Sequence, residues 1–274
     1  MVHIHWYPGH IAKAEKKLKE QLSLVDVVVE VLDSRVPFSS KYLEISKLLG
    51  DKPRVLVFNK TDLADTSKTQ YWVDYFQKKE NCKTTLVSAK EAKDLNNLVK
   101  IIENLGKPKI DKLVSKGLLP RPVRAMVVGM PNVGKSSIIN KLIKRTKAKT
   151  GAIAGITRQQ QWVRIHPKIE LLDTPGIIPM KLDNQEAACK LAFVCGVSEN
   201  AYDIEEVAQE LLNVLYKLYP ESLLGNYKLE DKLEPPILYD VAKSRQWYVN
   251  KERPDTLRAA TQVLADFRKV DLER

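Results

Sequence analysis

The sequence predicts an α/β protein: a doubly wound, mostly parallel sheet followed by a small all-helical domain. Three observations predict it. Short β-branched runs alternate with amphipathic stretches through the first two thirds of the chain. One of those runs leads into a glycine-rich loop and then into a helical pattern. From about residue 184 onward no strong strand signal remains.

The elements follow in order. Residues 10–22 place Ile11, Ala14, Leu18 and Leu22 at helical spacing with lysines between them. "DVVVEVLDSR" (26–35) reads as a buried strand ending in charge before Pro37. "RVLVFNK" (54–60) and "TTLVSAK" (84–90) are further strands, with helical patterns near 41–49, 68–80 and 91–104. Residues 106–122 carry Gly106, Pro108, Gly117, Pro120 and Pro122, the composition of a connector. The alternation then restarts: strand 123–129, helix 136–146, a flexible segment 147–157, and strands 160–165 and 168–176. Beyond it, "DIEEVAQELLNVLYKLY" opens with Asp203 and Glu206 at capping-box spacing, and "PDTLRAATQVLADFRK" starts with Pro254 near a helix start. The expected domains are 1–180, with a helical arm over 1–25, and a helical domain over 181–274.

Bulk properties narrow the class. The 274 residues suffice for a sizeable core. No run of 18 apolar residues exists and the N-terminus lacks an apolar signal core, so neither a membrane partner nor secretion is expected. Cys82, Cys189 and Cys195 form neither a zinc pattern nor a disulfide framework, which suits a reducing cytoplasm. Net charge is +11, unevenly placed. Residues 181–274 hold 13 Lys/Arg against 17 Asp/Glu, and residues 1–180 hold 32 against 17. A basic half of this strength points to a polyanionic partner, although a merely solvated face is the bland alternative.

"GMPNVGKS" (129–136) fits the phosphate-loop pattern in full, with a strand before it and a helix after it. Backbone N–H groups of Asn132, Val133, Gly134, Lys135, Ser136 and Ser137 are placed to cradle phosphate oxygens. Lys135 is expected at the β/γ phosphates and the Ser136 hydroxyl on Mg²⁺. "LLDTPG" adds Asp173, a carboxylate at a strand end that suits Mg²⁺, and Gly176, whose N–H can meet the γ phosphate. Between them, Thr157 is the candidate switch threonine that closes over Mg²⁺, with Thr150 as its competitor.

"VFNKTDL" (57–63) carries N-K-x-D, a guanine-reading pattern. Asn59 can bond the guanine edge, Lys60 can lie along the base next to Thr61, and Asp62 can accept from the ring N1–H and the exocyclic amine. Adenine does not present those two donors together, so an ATPase is disfavoured. Ser88-Ala89-Lys90 supplies a base-supporting loop one strand later. The phosphate loop follows the base motif by 70 residues, the reverse of the usual order. The parts are cyclically shifted, which a sheet tolerates when the original ends are joined. The fold class sharpens to a circularly permuted P-loop GTPase domain. In this order D-T-P-G leads straight into the helical domain, so a γ-phosphate sensor would also serve as a hinge.

"WYPGHIAKA", "DSRVPFSS", "NKTDL", "GMPNVGKSS", "GITR" and "LLDTPG" together resemble the YlqF/RbgA family of circularly permuted GTPases over nearly the whole chain. The resemblance implies a GTPase acting in late assembly of the large ribosomal subunit, binding GTP and GDP, with a helical C-terminal domain on ribosomal RNA. It implies a subunit-bound GTP state released by hydrolysis, and slow turnover without the subunit. A monomer is expected. One departure is that Phe267-Arg268 runs into "KVDLER", where the family usually continues with glycines.

Ras-type GTPases orient the attacking water with a glutamine directly after D-x-x-G. Here that position is Ile177. Candidates for the missing group are His10, His3, His5, His166 and residues 159–161, all glutamines. The resemblance points to His10, and it also implies K⁺ held by Asn132 beside the phosphates. A GTP-dependent module for a protein or membrane partner is the competing class. Against it, residues 141–158 carry Lys141, Lys144, Arg145, Lys147, Lys149 and Arg158 with no acid.

Overall fold

The computed structural model of the chain describes residues 2–4, 11–42, 44–150, 162–172, 184–230, 234 and 237–269. The chain divides into two compact units, one from Pro8 to Lys181 and one combining Met1–Tyr7 with Leu182–Arg274. The described N-terminal residues therefore group with the helical unit, where the Ile4 N–H donates to Gln185 Oε1 at 2.9 Å. The sequence reading places them in a helical arm, 1–25, of the 1–180 domain.

The first unit is built on a six-stranded sheet. Its strands are β1 (Val27–Asp33), β2 (Arg54–Asn59), β3 (Lys83–Val87), β4 (Val123–Val128), β5 (Trp162–His166) and β6 (Ile169–Leu172), in the order β3-β2-β1-β4-β6-β5. Every pairing is parallel except that of β5 with β6. Strand order reverses beside β1, and open parallel sheets take ligands outside the carboxyl ends of the strands at such a reversal.

Helices α1 (Ile11–Leu22), α2 (Ile45–Leu49) and α3 (Thr66–Glu80) cover one face. Leu18, Leu22, Ile45 and Leu49 pack on Val28, Met126 and Val128, while Val73 and Phe76 pack on Leu32, Leu56 and Phe58. Each such side chain contributes about 1.5–3 kcal/mol by leaving water. Between those clusters, on the same face of β1, lies Glu30. It is fully buried, with Lys41 Nζ 3.0 Å from Oε1 and Arg54 Nη1 3.0 Å from Oε2. Two cations thus offset the cost of a carboxylate in the core.

Helix α4 (Leu95–Val114) corrects the expected connector, which shrinks to residues 115–122. Gly106 and Pro108 lie inside the helix. A Cβ at Gly106 would overlap the Val123 side chain, so this glycine is a notch that lets α4 lie on β4. Burial of Leu95, Leu98 and Ile102 carries the helix through the backbone bond lost at Pro108. Helix α5 (Lys135–Thr150) is also longer than expected and absorbs residues 147–150 of the segment read as flexible. No glycine or proline interrupts it before Gly151. The competitor switch residue Thr150 is thus the last residue of a helix.

In the second unit, α6 (Gln185–Phe193), α7 (Ile204–Leu218), α8 (Pro220–Tyr227), α9 (Ile237–Ser244) and α10 (Thr256–Lys269) surround one core. Val207, Leu211 and Leu215 of α7 and Ala260, Val263 and Phe267 of α10 are buried in it. Asp203 caps α7 by accepting from the N–H groups of Glu205 and Glu206 at 2.9 and 3.0 Å. Arg268 closes the carboxyl end of α6, donating to the carbonyls of Phe193 and Ala192 at 3.2 and 3.1 Å. The Phe267-Arg268 pair is thus a fastener of this core.

Candidate nucleotide site

The base motif and the phosphate loop meet through Asn59. Register places Asn59 beside Asp33 of β1 and Val87 of β3. Its side chain is buried and bridges two loops: Nδ2 donates to the Val133 carbonyl at 2.8 Å, and Oδ1 accepts from the Ala89 N–H at 3.1 Å. Gly134 makes that bridge possible. Its φ is 94°, and a Cβ there would collide with Asn59 Nδ2.

Lys60 leaves the strand in the left-handed region at φ 63°. Its ammonium donates to the Asn132 carbonyl at 2.7 Å and sits 2.8 Å from Asp33 Oδ2. Thr61 and Asp62 form a 3-10 turn, residues 61–63, that leads to α3. The Ser88 hydroxyl donates to Asp62 Oδ1 at 2.7 Å and accepts from the Glu91 N–H at 3.2 Å. Ser88 is fully buried, so it fixes one carboxylate oxygen of Asp62 while the other stays outside that bond. Lys90 is exposed in the turn that follows Ala89.

The phosphate loop joins β4 to α5. At Gly129 (φ 156°) a Cβ would stand 2.5 Å from the Val31 carbonyl oxygen, and Asn132 is left-handed at φ 59°. These bends bring the loop back over the first turn of α5, whose leading N–H groups have no intrahelical acceptor. Lys135 Nζ donates to the Gly129 and Met130 carbonyls at 2.9 and 2.7 Å. Burial pulls its pKa down to about 8. Ser136 and Ser137 are exposed in that first turn.

The structure therefore brings together Asn59, Lys60, Thr61, Asp62, Ser88, Ala89 and Lys90 with Asn132, Val133, Gly134, Lys135, Ser136 and Ser137. His10, Thr157, Asp173 and Gly176 lie outside the described residues. His166 is half-buried at the end of β5, its Nδ1 accepting from the Lys168 N–H at 3.4 Å. Asp33 and Arg35 also belong to the neighbourhood, and the sequence reading missed them. Their only signal was charge directly after an apolar strand, and nothing local says that β1 lies between the base strand and the phosphate strand.

Residues 124–226 match the family described as 50S ribosome-binding GTPase. The chain is 38% identical to Ribosome biogenesis GTPase A of Bacillus cereus, over 97% of this chain and 90% of the relative. It is 40% identical to Ribosome biogenesis GTPase A of Bacillus licheniformis, over 83% and 80%. This chain belongs to the YlqF/RbgA family of ribosome biogenesis GTPases. A solved structure, GDP-bound TM YlqF, shares the fold with a TM-score of 0.68 at 24% identity, covering 93% of this chain and 95% of that one.

As a member of that family the chain is a GTP-hydrolysing enzyme that binds guanine nucleotides. The 50S ribosome-binding GTPase match starts in β4, leaving Asn59–Asp62 upstream of it, as the shifted order of parts requires. Asn59 then bridges a gap of 74 residues along the chain to reach Val133. Among the described residues no helix is long and apolar enough to cross a membrane.

Proposed function

We propose that the chain binds the large ribosomal subunit through ribosomal RNA in its GTP state, acts in late assembly, and leaves after hydrolysis. The observation that carries this reading is positional. Helix α5 starts at the phosphate loop and continues into the acid-free basic run 141–158, where Lys144 is exposed. The relatives named Ribosome biogenesis GTPase A support the ribosomal context.

The helical segment 181–274 is the proposed RNA-binding domain, and residues 1–180 the proposed GTPase domain. A tight turn between α9 and α10 supports this. Asn250 Oδ1 accepts from the N–H groups of Glu252 and Arg253 at 3.1 and 2.9 Å, holding Tyr248, Lys251 and Arg253 outward. One exposed ring flanked by two cations suits stacking on a base beside phosphates.

In the nucleotide site, Asp62 selects guanine and the loop residues 132–137 hold phosphates. Mg²⁺ suits an all-oxygen donor set of the Ser136 hydroxyl with Thr157 and Asp173. When bound it neutralises charge on the phosphate oxygens. The exposure of Ser136 in the first turn of α5 supports that role. Gly176 meets the γ phosphate, and Asn132 holds an activating K⁺. His10 positions the attacking water, because Ile177 cannot. His10→Ala should keep GTP affinity within a few-fold and lower subunit-stimulated turnover by about 10²–10⁴-fold. Hydrolysis in potassium against sodium buffer tests the K⁺ site. The protein works as a cytoplasmic monomer.

The deciding experiment is sedimentation of the full chain with large ribosomal subunits, in a GTP analogue against GDP. Binding should favour the analogue. Replacing Lys144, Lys147 and Lys149 with alanine should weaken it and flatten the slope of log affinity against log salt. Equal binding in both nucleotides, or an unaltered salt slope, overturns the reading and favours a protein partner.

A further inference from the structure

Strand β1 ends at Asp33, and Ser34 and Arg35 follow in a turn; none of the three belongs to the phosphate loop or the base motif. Asp33 is almost wholly buried. Its Oδ1 accepts from the Arg35 backbone N–H at 3.1 Å and from Arg35 Nε at 3.0 Å, and its Oδ2 accepts from Arg35 Nη2 at 2.8 Å. The same Oδ2 lies 2.8 Å from Lys60 Nζ. Lys60 Nζ in turn donates to the Asn132 carbonyl at 2.7 Å. One ammonium therefore stands between a carboxylate from β1 and a carbonyl of the phosphate loop.

The charges in this chain are unequal in mobility. Arg35 is fixed by three bonds to one carboxylate, a planar pairing that only one orientation satisfies. Arg35 Nη1 and Ser34 Oγ are buried without a partner among the described residues, so this group is held for its geometry and not for full hydrogen-bond satisfaction. Lys60 is different: its side chain keeps 21% of its surface in solvent. A lysine at such a site has a long, flexible stem, and water competes for its ammonium. A single carbonyl does not hold it. The buried carboxylate does, because a charge partner fixed on β1 gives the ammonium one favoured position.

We propose that Asp33, oriented by Arg35, is a positioning residue for guanine-nucleotide retention: it holds Lys60 against the Asn132 carbonyl and so keeps the base loop and the phosphate loop at one spacing. Asn59 ties those loops from β2, through Val133. Asp33 ties them from β1, through the Lys60 ammonium. Losing the second tie lets the two loops separate without unfolding the sheet, and bound nucleotide escapes faster.

The test is the release rate of a fluorescent GDP analogue from the full chain. Asp33→Asn should speed release by about tenfold, which equals about 1.4 kcal/mol. Lys60→Met keeps the apolar stem that can lie on the base and removes only the charge. It should speed release by a similar factor. The double variant Asp33→Asn with Lys60→Met should release no faster than Lys60→Met alone, because Asp33 acts through that ammonium. Lys60→Arg should restore slow release. A purely structural Asp33 predicts that the two effects multiply, and that result overturns the proposal, as does an unchanged rate in Asp33→Asn. Should Asp33→Asn fail to fold because Arg35 loses its partner, the pair Asp33→Asn with Arg35→Gln removes both charges. It must also release fast and add nothing to Lys60→Met, and additivity there refutes the idea equally.

Discussion

Asn59→Ala should destabilise the sheet unit as well as weaken nucleotide binding. The substitution removes two hydrogen bonds, to the Val133 carbonyl at 2.8 Å and from the Ala89 N–H at 3.1 Å. Asn59, Val133 and Ala89 are all buried, so the two abandoned backbone groups lose a partner inside the protein. Each unpaired buried group costs about 1–3 kcal/mol, which totals about 2–6 kcal/mol. That is a large share of an ordinary domain's stability of about 5–15 kcal/mol. Urea unfolding in the absence of nucleotide reads it. At a slope near 3 kcal/mol per molar, the midpoint should fall by about 0.7–2 M. Asp62→Asn is the control, because Ser88 can still donate to an amide oxygen and nothing buried is stranded. A midpoint shift below about 0.3 M in Asn59→Ala, with GDP binding lost, would show that the residue acts on nucleotide alone and that the bridge contributes no stability.

Three further outcomes follow from the same geometry. Asp62→Asn should exchange guanine for xanthine specificity at a cost of about 3–5 kcal/mol for GTP, and unchanged GTP affinity on titration would sink the base-reading role. Lys135 has a pKa of about 8 in the protein, and bound phosphate would raise it, so binding GDP above pH 8 takes up a proton and weakens as pH climbs further. Calorimetry near about pH 8.5 in two buffers of different ionisation heat should show that uptake, and identical heats would refute it. Gly106→Ala should destabilise by about 1–3 kcal/mol although a helical glycine normally gains from alanine, because the added Cβ meets Val123; a rise in melting temperature would remove the notch argument.

The chemistry of this protein was legible in short stretches of sequence. Phosphate cradling needs glycines that permit φ 94° at Gly134, and guanine reading needs an acid, so both leave residue-level marks wherever the chain is cut. The permuted order was legible for the same reason: motifs keep their spacing within a strand-to-helix unit even when the units are shuffled. What the sequence alone left undecided is everything that depends on which strands become neighbours. Gly106 and Pro108 read locally as helix breakers, yet α4 runs through them because Val123 needs the space and the helix gains more from burial than it loses in one backbone bond. Glu30 reads as a charge in an apolar strand until Lys41 and Arg54 arrive from other elements to pair with it. Asp33 and Arg35 read as a strand end, and only the position of β1 between β2 and β4 sets that carboxylate against Lys60. Local rules act through a few bonds of one chain segment, whereas these contacts join residues far apart in sequence, and only the packed sheet decides which ones meet.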